Sequence, residues 1–145
     1  MGMSVNFRGP AALAGIVLGF GVMASGVAYA CSCRAPEDAA SQLAGADLMI
    51  VAQVSSVRRL PPQNGSPMAE TRFMVMDTIK GPERRSWVIR HQRGDSAMCG
   101  IDFRPGVDQA ILARFVEGKV WTSSCERAWF PIANYRAAAP ATRQE

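Results

Sequence analysis

Four residues carry most of the reactive chemistry in this chain: Cys31, Cys33, Cys99 and Cys125. A cysteine can pair as a disulfide, ligate a metal as a thiolate, or act as a redox nucleophile. Structural zinc sites usually draw on two close pairs of the Cys-x₂₋₄-Cys kind. Here Cys31 and Cys33 are close, but 25 residues intervene between Cys99 and Cys125, which argues against zinc. Redox work at Cys31 and Cys33 would need a helix N-terminus or a nearby histidine to lower a thiol pKa, and neither is indicated there. An even number of cysteines in a short chain reads instead as two disulfides, with three pairings open.

The cysteines follow a secretory pattern. A positive start (Met1 to Arg8) precedes an apolar stretch from Ala11 to about Val27, and then Ala28-Tyr29-Ala30. Small residues at Ala28 and Ala30 mark a signal-peptidase site, so residues 1–30 are expected to be a signal peptide. The apolar stretch is short and glycine-rich for a retained span. A lipoprotein signal is the second reading, but Ala28 and Tyr29 fit it poorly. Cleavage after Ala30 would give Cys31 a free α-amino group. Secretion, or export to a periplasm, supplies the oxidising compartment that disulfides need.

The composition excludes several functions. The net charge is +4, and one Arg with no acid among residues 1–30 leaves +3 after cleavage. The arginines are scattered, without a like-charge block or basic-aromatic alternation, so no nucleic-acid partner is expected. No membrane partner is expected after cleavage either. There is no nucleophile elbow, histidine pair, phosphate loop or dinucleotide fingerprint, so the chain reads as no enzyme and needs no cofactor. His91, the only histidine, reads as a surface residue without a partner pattern. Glu37-Asp38 reads as a helix cap.

The elements that must position the cysteines are mostly strands. Pro36 to Gly45 has the signals of one or two helical turns. Leu48 to Val57 is an apolar run ending in alternation, the mark of a central strand. Leu60 to Pro67, with three prolines and Asn64-Gly65, reads as a loop at an exposed hairpin tip. Strands follow at Glu70 to Ile79, Ser86 to Arg90, Gln109 to Val116 and Val120 to Cys125. Phe73, Val75 and Ile79 share one face of the second strand, and Arg72, Met74, Met76 and Thr78 the other. Asp77 breaks the first face. Glu126 to Tyr135 reads as a short irregular or helical cover, and residues 136–145 as a frayed, flexible tail. The fold expected is all-β: a five-stranded Greek-key barrel of the OB type with short flanking helices, spanning residues 31–135.

Several of these residues also form a recognisable frame. Cys31-Ser32-Cys33-Arg34-Ala35-Pro36 is followed by Ala46-Asp47-Leu48-Met49-Ile50-Val51-Ala52. Later come Ile79-Lys80-Gly81, Cys99-Gly100 with Phe103, Ile111-Leu112-Ala113 and Thr122-Ser123-Ser124-Cys125. In order and rough spacing this resembles the N-terminal, netrin-like domain of the tissue inhibitors of metalloproteinases, over most of residues 31–130. Leu43-Ala44 falls where animal members have the first cysteine of a third bridge.

The resemblance implies a disulfide pairing, Cys31 with Cys99 and Cys33 with Cys125. It also implies a function, inhibition of a zinc metalloproteinase by a monomer that itself binds no metal. The α-amine and carbonyl of Cys31 would chelate the protease's zinc at the position normally held by water. The amine must be neutral, and an ordinary α-amino group has a pKa of about 7.7–8.0. Ser32 would enter the specificity pocket, and Cys33, Arg34 and Ala35 would lie along the cleft. Ala97, Met98 and Cys99 would form a second protease-binding ridge. The rival reading is a non-inhibitory extracellular netrin-like binding module.

Overall fold

The computed structural model describes residues 31–140, and the expected signal peptide lies outside them. The element order is α1 (Ala39–Ala44), β1 (Leu48–Gln63), β2 (Ser66–Lys80), β3 (Ser86–Gln92), β4 (Asp108–Val116), β5 (Lys119–Trp121) and α2 (Ile132–Ala138), with 3₁₀ turns at Ser96–Met98 and Ser124–Glu126. The strands close in the order β1-β2-β3-β5-β4. Every neighbouring pair is antiparallel except β3 with β5. This is the five-stranded Greek-key barrel of the OB type, flanked by two short helices and held by two disulfides.

Closure explains the long apolar run. Leu48, Ile50, Ala52 and Val54 point into the barrel, where they meet Phe73, Trp87, Ile89, Ile111 and Val120. The opposite side of the same strand is also covered. Met49 packs with Leu112, Leu43 of α1 and Tyr135 of α2 in a second cluster. A strand buried on both faces loses its alternation, and Leu48 to Ala52 are all buried.

The turns follow from residue type. Asn64 (φ 49°) and Gly65 (φ 78°) both take left-handed backbone, the requirement of a two-residue hairpin whose twist matches its strands. Glu117 (φ 49°) and Gly118 (φ 74°) repeat this between β4 and β5. The first hairpin is longer than its prolines suggest. β1 runs on to Gln63, and the register shifts between Leu60 and Gln63, so Pro61 and Pro62 interrupt the ladder without ending it. β5 is shorter than expected. After Trp121 the Thr122 amide bonds to Arg90 O and its hydroxyl to Leu112 O, and the chain turns away.

Both helices are tied by side chains. The Asp38 carboxylate accepts from the Ser41 amide at 2.7 Å, and the Ser41 hydroxyl accepts from the Asp38 amide in return. That bond holds the Asp38 carboxyl below its ordinary pKa. α2 continues through residues 136–138, where fraying was expected. Tyr135 is fully buried. Its hydroxyl accepts from the Trp129 and Phe130 amides and donates to Gln42 Oε1. Asp77 is the anchor for Arg136, at 2.7 Å.

His91 corrects the sequence reading: it is 1% exposed. It continues the inward stripe Trp87, Ile89, His91 of β3. Its ring bonds to the Thr71 hydroxyl at 2.8 Å and meets Phe103 edge-on. Two-residue periodicity placed it on the core face, and the single polar label hid that.

Candidate functional site

The two bridges pair Cys31 with Cys99 and Cys33 with Cys125. They span sequence separations of 68 and 92 residues and fasten the start of the described chain to two distant points. One is the loop after β3 and the other the 3₁₀ turn after β5. The bridges also touch, with Cys31 Sγ 3.6 Å from Cys125 Sγ. Sulfurs of Cys31, Cys33 and Cys125 lie within 4.8 Å of one another. Among the described residues no cysteine is free, so these sulfurs are neither thiolate ligands nor a dithiol redox pair in this state.

The loop that receives Cys31 is built by Asp95. Its carboxylate and its carbonyl both accept from the Met98 amide, each at 3.2 Å, and its carbonyl also accepts from Gly100 at 3.0 Å. Gln92 Nε2 donates to Met98 O at 2.6 Å. Cys99 is held in left-handed backbone, φ 60°, which a non-glycine residue adopts only at some cost. That turn sets the bridge. Gly100 is a close approach, because a Cβ there would lie 2.6 Å from the carbonyl carbon and oxygen of Arg93. The Ser124 amide then bonds to Cys99 O at 3.4 Å, joining the two anchor points.

This brings the candidate residues together. The Cys31 amide nitrogen donates to Ala97 O at 2.8 Å. Ser32, Arg34 and Ala35 are exposed, while Cys31 and Cys33 between them are half-buried. Ala97 and Met98 are exposed beside them, Met98 by 52%. The segment Cys31 to Ala35 and the ridge Ala97 to Cys99 therefore form one surface, fixed at alternate residues.

Behind that surface lies a cavity of about 650 Å³, bordered by Cys31, Cys33, Ala97, Phe103, Glu126 and Trp129. Sequence reading did not single out Glu126. It pairs with Arg114 at 2.9 Å, yet burial outweighs that pull and raises its pKa above the ordinary carboxylate value. The Ser124 hydroxyl and the Trp129 indole N–H are buried without hydrogen-bond partners among the described residues. Cys125-Glu126 adjacency was the available signal, since a residue next to a stapled cysteine shares its burial. The chain matches no protein-family model, and a search of curated proteins finds no match.

Proposed function

We propose that this protein is a secreted inhibitor of zinc metalloproteinases, similar to the N-terminal domain of the tissue inhibitors, in which Cys31 chelates the zinc of the bound protease. The observation that carries this reading is the fixing of the Cys31 backbone. One side is held by the bridge to Cys99 and the other by the 2.8 Å bond from its nitrogen to Ala97 O. A neutral terminal amine has two hydrogens and one lone pair. One hydrogen can stay on Ala97 O while the lone pair is presented to a metal with an open position. The neighbouring exposed residues, Ser32, Arg34 and Ala35, suit a substrate-like strand. Ala97 and Met98 suit a second contact. Two bridges order this wedge before binding, which lowers the entropic cost of the complex.

The test compares oxidised protein beginning at Cys31 with a version carrying one extra Ala before it, against a panel of metzincin-type proteases. Inhibition by the first alone supports the amine mechanism. Equal inhibition by both refutes chelation by the amine. No inhibition by either refutes the inhibitor reading and leaves the extracellular binding module.

A further inference from the structure

The outer face of β2, β3 and β5 combines exposed apolar side chains with a surplus of guanidinium groups. Side chains alternate along a strand, so Arg72, Met74 and Met76 face outward together. Met74 is 51% exposed and Met76 58%. Across the ladder Arg72 stands beside Val88, which is also exposed, and Met74 beside Ser86. The Arg84 guanidinium lies 4.4 Å from the centroid of the Trp87 ring. Arg84 borders two hollows. One, of about 430 Å³, is shared with Arg72, Arg90 and Lys119. The other, of about 480 Å³, is shared with Met76, Glu83 and Arg85.

Arg72, Arg84, Arg85 and Lys119, with Arg90 already paired to Glu70, thus border three exposed apolar side chains. Most of the local counter-charge is already engaged. Glu70 is held by Arg58 and Arg90, and Asp77 by Arg136. Bonding to Arg90 keeps the Glu70 carboxyl below its ordinary pKa, so it stays ionised and engaged. Glu83 is in no ion pair among the described residues. The helices cover the other cluster, around Met49 and Leu112, and leave this face open.

The chemistry of the face selects its partner. A soluble polyanion would use the arginines and leave the methionines in water. Single-stranded nucleic acid would want a row of exposed rings to stack on, whereas Trp87 is buried under Arg84 and only Phe115, stacked against it, is exposed beside this face. An anionic bilayer uses both parts. Acidic headgroups meet the guanidinium groups, and Met74, Met76 and Val88 enter the boundary between headgroups and acyl chains. We propose that this face docks peripherally on anionic phospholipid membranes. The sequence reading had expected no membrane partner after cleavage, having weighed only a span and a lipid anchor at Cys31. Among the described residues no helix is long and apolar enough to cross a membrane, and this contact needs none. None of its residues belongs to the Cys31 surface, so the inference stands apart from inhibition.

The test is co-sedimentation of oxidised protein beginning at Cys31 with vesicles of phosphatidylglycerol and phosphatidylcholine in equal parts, and with phosphatidylcholine alone. Residues 31–140 hold the closed barrel, both apolar clusters and both bridges. Binding is expected on the anionic vesicles alone. R72Q/R84Q/R85Q should bind about a hundredfold more weakly, at roughly fivefold per charge. M74S/M76S should bind the vesicles roughly tenfold more weakly and bind dextran sulfate as the parent does. Should that variant melt early, Val88→Thr takes its place. No binding to anionic vesicles overturns the proposal. So does vesicle binding indifferent to the apolar substitutions, which would mark a site for soluble polyanions.

Discussion

Cys31 Sγ and Cys125 Sγ belong to different disulfides and lie 3.6 Å apart. The two bridges are therefore one sulfur cluster, and freeing one cysteine places a thiol against the other bridge. In Cys33→Ser, the Cys125 thiolate can attack Cys31 Sγ and form a 31–125 bond, while Cys99 departs as the thiolate. Non-reducing peptide mapping of the variant at pH 8 should find the 31–125 peptide. The parent should give 31–99 and 33–125 alone. An unchanged 31–99 bridge in the variant would show that the sulfurs cannot align for exchange.

Removing a whole bridge should cost stability through the unfolded chain. The loop closed by Cys33 and Cys125 would by itself be worth about 4.6 kcal/mol in the chain-entropy view, and the Cys31–Cys99 bridge, which shortens that loop in the unfolded chain, lowers this to roughly 3–4 kcal/mol. Urea denaturation of the Cys33→Ser/Cys125→Ser double variant checks this. A loss below about 1 kcal/mol would mean that the unfolded state is already compact.

His91 makes stability pH-dependent. Burial lowers its pKa in the folded protein below the ordinary histidine value of 6.5. The unfolded chain then takes up a proton first as pH falls. Stability from the neutral ring is fully present above about 6.5 and is lost as pH falls toward the lowered folded value. Glu126 acts with the opposite sign. Its raised pKa means that stability increases as pH falls toward the ordinary glutamate value of 4.5. Denaturation midpoints at pH 7.5 and 5.5 should separate the two. His91→Gln should reduce the acid loss, and Glu126→Gln should enlarge it. An unchanged pH response in His91→Gln would exclude the histidine as its source.

Tyr135→Phe keeps the ring and removes the hydroxyl. The Phe130 amide then loses its acceptor, the Trp129 amide keeps only Gln42 Oε1 at 3.4 Å, and Gln42 loses a donor. Leaving such groups unpaired costs about 1–3 kcal/mol. Thermal melting should fall accordingly. A melt equal to that of the parent would mean that water replaces the hydroxyl.

Gly100→Ala tests the close approach under the ridge. A methyl group 2.6 Å from the Arg93 carbonyl must move backbone, at a cost of about 1–3 kcal/mol. On the proposed reading, protease inhibition should weaken along with stability, because Cys99 immediately precedes Gly100. An alanine variant that melts like the parent would show that the loop yields freely.

Much of the barrel was legible locally. Phe73 and Met74 were assigned to opposite faces by alternation, and the structure buries the first and exposes the second. Asn64-Gly65 marked one tight hairpin, and Glu117-Gly118, between two expected strands, forms the other. The strand ends were harder to read. Pro61 and Pro62 signal a loop by themselves, but pairing on either side of them carries the hairpin further. His91 was misplaced because its type outweighed its parity with Ile89.

The sequence by itself determined which residues alternate, where the chain turns and which cysteines are available, since each depends on near neighbours. It left the pairing of those cysteines open, and a resemblance pointed to the one found. Only the tertiary structure decided that Cys31 and Cys99, 68 residues apart, meet beside Cys33 and Cys125. Only it decided that His91 finds Thr71 and that Tyr135 closes over Gln42. These contacts exist because β1 must pair with both β2 and β4 to close the barrel. Closure brings together residues that no local pattern relates.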